Sequence, residues 1–115
     1  MTITYTGDVE TYPILKVIGP GNLYQLSNYT TDQFIYFDVE LGDGEEAVLD
    51  LRPGKKTFTS NIRGDLFNKI RGGSDIESFC IAPGDNNMTI FIDDASATAA
   101  LIWETRFLGI EGVVA

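Results

Sequence analysis

Hydrophobic and polar residues alternate along much of the chain, most clearly from Phe34 to Leu41. Every second residue is apolar and would share one face of a strand: Ile35, Phe37, Val39 and Leu41. The opposite face carries Phe34, Tyr36, Asp38 and Glu40. This period of two predicts a half-buried strand. The alternation resumes from Glu46 to Arg52 after the turn residues Gly42-Asp43-Gly44, so we expect these two segments to form a hairpin.

Further strand-like segments follow the same pattern and are separated by turn residues. They are Pro13 to Ile18, Leu23 to Asn28, Thr57 to Asn61, Ser78 to Ala82, Met88 to Ile92 and Thr98 to Leu108, the last being the longest. Pro83 to Asn86 is expected to be a turn that ends the Ser78 strand. Asp65 to Ile70 has helical spacing instead, and we expect a short helix or 3₁₀ turn that Asp65 caps.

These elements together predict an all-β sandwich of two antiparallel sheets, with one short helical turn in a connection. The alternation also predicts which large side chains lie in the core. They are Ile35, Phe37, Val39, Leu49, Leu51, Leu101 and Trp103, with Phe107 on the same face of the last strand as the final two.

The 115 residues are enough for one domain, spanning 1–115, with an ordinary core, since 43% of them are hydrophobic. The net charge of −9 repels phosphate backbones and anionic lipid, so we expect neither nucleic acid nor membrane as a partner. The start of the chain lacks the pattern of a signal peptide, and no apolar run is long enough to span a bilayer.

The chain contains no histidine and one cysteine, Cys80. These counts exclude histidine-dependent nucleophile systems, histidine-ligated metals, internal disulfides and cysteine-based zinc clusters. We therefore expect no enzyme activity, no catalytic residue, no cofactor and no metal. Cys80 itself is expected to be a small core residue, because no basic residue lies near it in the sequence to activate a thiolate.

Three other patterns have a functional interpretation and a simpler one. The acidic residues of the expected hairpin, from Asp38 to Asp50, would suit calcium, but they lack the spacing of a calcium loop and also suit a solvated edge. Asp93-Asp94 with Glu104 would suit a glycosidase pair, although acidic residues at strand ends are common. Arg63-Gly64-Asp65 matches an integrin-recognition string, and also a turn that leads into the short helix.

Aromatic residues on the solvent side of the sandwich are the strongest candidate site. Phe34 and Tyr36 share the outer face of one strand, and Tyr24 and Tyr29 are expected on the same surface. An exposed aromatic face suggests a protein interface or a sugar platform. The alternative is that the Asp65 to Ile70 connection folds over these rings. Because Asp38 and Glu40 share the face, we favour protein docking over sugar stacking.

The order of several segments resembles a known family. They are Gly7 to Leu15, the strand end Gly19-Pro20, Val48 to Lys56, Ser60-Asn61, Gly73-Ser74-Asp75, Ala82 to Ile90 and Leu101 to Leu108. Over residues 5 to 108, this order is similar to the C-terminal domain of siphophage distal tail proteins and related prophage tail components.

The resemblance implies a galectin-like, jelly-roll-type β-sandwich. It implies that the domain is the C-terminal part of a larger tail protein, whose N-terminal domain forms a hexameric ring joining the tail tube to the baseplate or fibre. It brings no catalytic residues. Galectins bind sugar through a histidine and a stacking tryptophan, whereas this chain has no histidine and Trp103 is expected in the core.

The leading hypothesis is therefore a non-enzymatic structural adaptor of a phage or prophage tail tip, whose partners are other tail or baseplate proteins. The expected location is the virion tail, and the host cytoplasm before assembly. A hexameric ring is expected only in the full-length context, with a monomer or weak dimer in isolation. The alternative function is a carbohydrate-binding module, and a glycoside hydrolase fragment is a weaker one.

Overall fold

The computed structural model describes residues 2–94 and 96–105 of the chain. Its elements are almost all strands, because alternating sequences can bury one face and expose the other. In chain order the strands are β1 (Thr2–Tyr5), β2 (Ile14–Ile18), β3 (Gly21–Asn28), β4 (Gln33–Leu41), β5 (Glu46–Asp50), β6 (Thr57–Ser60), β7 (Gly64–Asp65), β8 (Gly84–Ile92) and β9 (Thr98–Ile102). A single 3₁₀ turn, Phe67–Lys69, lies between β7 and β8.

The strands form two antiparallel sheets, as the sequence predicts. One has four strands in the order β1-β8-β3-β4, and the other has five in the order β7-β6-β5-β2-β9. All strand pairings within the sheets are antiparallel. The short turn is also confirmed, but its N-cap residue is Leu66 and not the expected Asp65, whose carboxylate accepts a hydrogen bond of 2.8 Å from the Phe67 backbone N–H.

The core lies between the sheets and is built from the inward face of each strand. Five of the predicted core residues are buried, namely Ile35, Phe37, Val39, Leu49 and Leu51. Phe37 of β4 packs against Phe58 of β6 with a ring-centroid distance of 5.3 Å, so it joins one sheet to the other. The predicted register of β4 is therefore confirmed.

The predicted hairpin of β4 with β5 is wrong. β4 pairs with β3, whereas β5 pairs with β2 and β6, so the turn at Gly42 to Gly44 crosses from one sheet to the other. Both strands bury their alternate residues in the same core, one from each side. Alternation cannot distinguish neighbours in one sheet from partners across a sandwich, because the inward pattern is identical in the two cases.

The strand predicted at Ser78 to Ala82 is also absent. Ser78 ends a turn and the rest of the segment is irregular except for Ile81, which forms a bridge by exchanging two backbone hydrogen bonds with Thr11. The expected turn from Pro83 to Asn86 is wrong as well, since β8 already begins at Gly84. Its first residues pair with β1, a strand that was not predicted although Ile3 and Tyr5 alternate with polar residues and are buried.

The last predicted strand is shorter in the described part of the chain, where β9 ends at Ile102. Leu101 pairs with Leu15 and, like Trp103, is partly buried and packed against the core. These two residues are therefore at the border of the core and not fully inside it. The predicted strand residues Arg106, Phe107 and Leu108 lie outside the described residues.

A pair of buried asparagines holds the connection before β8 in place. Asn28 donates to Asn86 and to the Cys80 carbonyl, at 3.0 Å each. The Asn86 side chain accepts from the Ala82 backbone N–H at 2.9 Å and donates to the Ala82 carbonyl at 2.7 Å. The backbone groups of this irregular connection have no neighbouring strand, and the asparagine side chains provide hydrogen-bond partners for them instead.

Candidate functional site: an aromatic sheet face

The outer face of the four-stranded sheet carries a cluster of aromatic side chains. In the register of the strands, Gln25 of β3 lies between Tyr36 of β4 and Phe91 of β8. Directly opposed residues of antiparallel strands point to the same face, so these three side chains form a row across the sheet. Phe34 lies in the next row, opposite Ser27.

Five aromatic residues make up this surface, which we call the aromatic face: Tyr24, Tyr29, Phe34, Tyr36 and Phe91. Tyr24 is 51% exposed, Tyr29 46%, Phe91 41% and Tyr36 36%, whereas Phe34 is partly buried among them. The Phe34 and Tyr36 rings are stacked, with centroids 6.3 Å apart and an angle of 17° between their planes. Tyr29 packs edge-on against Phe34 at 5.9 Å.

A bulge in β3 brings Tyr24 to the aromatic face. Against β8, the register shifts between Leu23, which is buried and pairs with Ile92, and Gln25, which pairs with Phe91, so β3 has one extra residue here. Two successive residues, Tyr24 and Gln25, therefore point outward where regular alternation would turn one of them inward. Tyr24 and Tyr36 line a shallow depression together with Gln25, Phe37, Arg71 and Gly72.

The segment after the short turn covers the edge of β4 and leaves the rings exposed. The Arg71 and Asp75 backbone N–H groups donate to the Tyr36 and Phe34 carbonyls, each at 2.8 Å. In return, the Phe34 N–H donates to the Asp75 carboxylate and the Tyr36 N–H to the Ser74 hydroxyl. The segment thus protects an edge that would otherwise offer unpaired backbone groups.

Carboxylates adjoin the aromatic face on the side of β8 and at the end of β4. Asp93 accepts hydrogen bonds of 2.7 and 2.8 Å from the backbone and side chain of Asn22, and one of 3.5 Å from the Tyr24 hydroxyl. The side-chain bond from Asn22, followed by its backbone bond, lowers the pKa of Asp93. Asp38 and Glu40 are exposed and alternate with the buried residues of β4.

Phe91 was missed by the sequence interpretation. The alternation of Met88, Ile90 and Ile92 places these residues on the core side of β8, which puts Phe91 on the outer side. That signal was available in the sequence. What the sequence could not show is that β8 lies beside β3, which brings Phe91 to the same surface as Tyr36.

The acidic cluster expected around the hairpin has a structural role at Glu45, which is only 3% exposed. Arg63 donates to both Glu45 carboxylate oxygens, at 2.7 and 2.9 Å, and Ser60 and the Gly42 backbone N–H donate as well. These bonds, with the one from Arg63 the strongest, lower the pKa of Glu45 from 4.5 to about 2. The guanidinium of Arg63 is therefore bound to Glu45 within the protein. This favours the interpretation of Arg63-Gly64-Asp65 as a turn over that of an integrin-recognition string.

The other weighed candidates do not converge on one site. Asp93 follows β8 of one sheet, whereas Glu104 follows β9 of the other. Cys80 is partly buried in an irregular segment, not mid-strand, and burial followed by the charge of Glu10 raises the pKa of its thiol. Across residues 2–94 and 96–105, no group of three or more carboxylate or cysteine side chains is arranged to hold a metal ion.

The fold is a β-sandwich of two antiparallel sheets with aromatic rings exposed on the outer face of one of them. Comparison with protein families is more specific: residues 6–107 match the model of the siphovirus-type tail component, C-terminal domain. The chain belongs to this family, so it is a domain of a structural component of a phage tail. No curated protein and no solved structure shows a significant match to the chain. In the described ranges, no helix has the length and apolar character of a membrane span.

Proposed function

We propose that this domain is a non-enzymatic adaptor of the tail tip, which binds other tail or baseplate proteins through the aromatic face. The observation that carries the proposal is the exposure of four large aromatic rings on one side of a single sheet. Large apolar side chains gathered on a surface gain free energy when a partner removes them from water. Tyrosine suits such a surface, because its ring is apolar and its hydroxyl still tolerates water.

The sheet gives this surface a fixed shape. Tyr36 and Phe34 are on β4, whose two edges are bonded to β3 and to the 71–75 segment. The rings are therefore held before a partner arrives, and less conformational entropy is lost on binding. This favours docking by a preformed surface over a fit that requires rearrangement.

We further propose that the domain works within a larger tail protein that forms a ring, located in the virion and, before assembly, in the host cytoplasm. The description of the family as a C-terminal domain supports this. One small surface binds a partner weakly, since it must offset the entropy of association. Several copies held in a ring bind their partners simultaneously, which raises the overall affinity. In isolation, the domain is expected to be a monomer or a weak dimer.

A carbohydrate-binding role is the second candidate. The near-parallel stack of Phe34 and Tyr36 offers a flat apolar surface of the kind on which a sugar ring packs. A glycan array distinguishes the two functions. The adaptor function predicts no specific glycan, whereas glycan binding that is abolished by Tyr36→Ala would establish the alternative.

The adaptor proposal is tested by tail assembly. The tail component with Tyr36→Ala and Phe91→Ala is compared with wild type for incorporation into tails, after circular dichroism has verified its fold. Ile62→Ala is the matched control, because Ile62 is 68% exposed and lies in the connection between β6 and β7 of the other sheet. We expect defective incorporation of the double variant alone. Normal incorporation of the double variant would contradict the proposal.

A further inference from the structure

We propose that the partner presents arginine side chains to the aromatic face, so that the docking segment is basic. This inference rests on the proposed function and adds the chemistry of the partner. It is based on the carboxylates around the aromatic rings and on the positions of these carboxylates in the sheet. It is also based on the repulsion between two copies of this acidic chain.

The carboxylates of the face lie close to the exposed tyrosines. Asp93 accepts from the Tyr24 hydroxyl, and Asp38 lies in the stretch of β4 opposite Tyr24, between the pairs Leu23–Val39 and Gln25–Tyr36. Glu40 follows on the same side of β4, opposite Asn22. Within the described residues, none of these three carboxylates forms an ion pair. Arg63, which is bound to Glu45, also donates to the Glu40 backbone carbonyl at 2.7 Å and lies close to the Glu40 charge. The charges of Asp38 and Asp93 are therefore the ones available to a cationic partner.

One basic residue, Arg71, lies beside the aromatic face at the β4 edge. Arg71 lines the depression with Tyr24 and Tyr36, but its segment runs beyond the β4 edge of the sheet. Asp93 is on the opposite side, at the end of β8. The three carboxylates thus lie toward one end of the sheet, around the start of β3 and the ends of β4 and β8, whereas the backbone of Arg71 is bonded to Tyr36 farther along β4.

Arginine matches this combination of groups better than other side chains. Its planar guanidinium stacks on a tyrosine ring and also donates two parallel hydrogen bonds to a carboxylate. Lysine provides the charge without the flat surface or the fork of donors. A second copy of the chain is a poor occupant, because each copy has a net charge of −9 and would bring the same carboxylates to the interface.

The test uses the 115-residue chain and three peptide probes, tetra-arginine, tetra-lysine and tetra-glutamate, followed by the chemical shifts of backbone amides. We expect tetra-arginine to shift amides of β3, β4 and β8 around the aromatic face, more strongly than tetra-lysine. Tetra-glutamate is expected to leave them unchanged. Added salt should weaken the binding of tetra-arginine, since the attraction is between exposed charges.

Charge-matched variants separate a specific site from general attraction to an acidic protein. Asp38→Asn with Asp93→Asn removes two charges from the face, and asparagine at 93 keeps an acceptor for Asn22. Asp43→Asn with Glu46→Gln removes two charges elsewhere. We expect tetra-arginine to bind the first variant about five- to tenfold more weakly, and the second like wild type. Equal weakening in both variants, or shifts centred outside the face, would overturn the proposal.

The same variants distinguish this inference from the proposed function in the tail-assembly assay. If Tyr36→Ala with Phe91→Ala prevents incorporation while Asp38→Asn with Asp93→Asn does not, the face docks a partner that is not basic, and only this inference fails. If both double variants fail to incorporate, the inference is supported. If neither variant affects incorporation, docking through this face is wrong altogether.

Discussion

The buried carboxylate of Glu45 gives a pH-dependent prediction for stability. It lies just before β5, where the chain crosses between the sheets, and Arg63, Ser60 and Gly42 all donate to it. A pKa lowered from 4.5 to about 2 corresponds to about 3 kcal/mol of folding free energy, since each tenfold change in acidity is about 1.4 kcal/mol. Solvent around the exposed Arg63 guanidinium reduces this contribution to about 2–3 kcal/mol.

The sign follows from the direction of the pKa. Because the pKa is lower in the folded state, the contribution is fully present above pH 4.5, the ordinary value for the carboxyl, and is lost as the pH falls toward about 2. Glu45→Gln keeps the size of the side chain and an oxygen acceptor but removes the charge. We therefore expect Glu45→Gln to be about 2–3 kcal/mol less stable than wild type at neutral pH, with the two converging near pH 2.

Urea unfolding of wild type and Glu45→Gln over this pH range measures the difference. Glu46→Gln is the matched control, since Glu46 is partly exposed and its carboxylate Oε1 forms a surface ion pair with Lys16 Nζ at 3.7 Å. We expect its effect to be within about 0.5 kcal/mol at every pH. A difference between wild type and Glu45→Gln that is the same at pH 7 and near pH 2 would refute the reasoning, because it would then not depend on the charge.

Three further outcomes are expected from the fold and the charge of the chain. Phe37→Ala should lose about 3–5 kcal/mol in denaturant unfolding, because Phe37 is 2% exposed and packs against Phe58 across the sandwich; a loss below about 1 kcal/mol would contradict its core position. Asn86→Ala should lose more than about 2 kcal/mol, since it removes one of the hydrogen bonds of buried Asn28 and both side-chain partners of the Ala82 backbone, whereas the exposed neighbour Asn87→Ala should lose little. In gel-shift assays at low salt the chain should not bind DNA, given its charge of −9, and a salt-sensitive shift would oppose this.

The sequence was sufficient for features that depend on local alternation. The period of two in β4 predicted both the burial of Ile35, Phe37 and Val39 and the outward position of Tyr36. The short 3₁₀ turn was also predictable, because Asp65 precedes apolar residues at helical spacing. Each of these features is fixed by residues a few positions apart.

Features that depend on distant partners could not be predicted in this way. The β4–β5 hairpin failed because two strands on opposite sides of a core have the same inward pattern. The segment at Ser78 to Ala82 is apolar enough for a strand, but side chains of Gln33 and Asn28 bond its backbone in place of a neighbouring strand. In the same way, nothing near Arg63 in the sequence indicates its bond to Glu45, 18 residues away.

The central claim is that the aromatic face is occupied by a protein in the assembled tail. The most direct measurement replaces Tyr36 by the photo-crosslinking amino acid p-benzoylphenylalanine, incorporates the protein into tails, irradiates them and identifies the products by mass spectrometry. The same replacement of Ile62, an exposed residue on the other sheet, is the control. We predict a cross-link from position 36 to another tail or baseplate protein, and none from position 62. Assembled tails without a protein cross-link at position 36 would contradict the account.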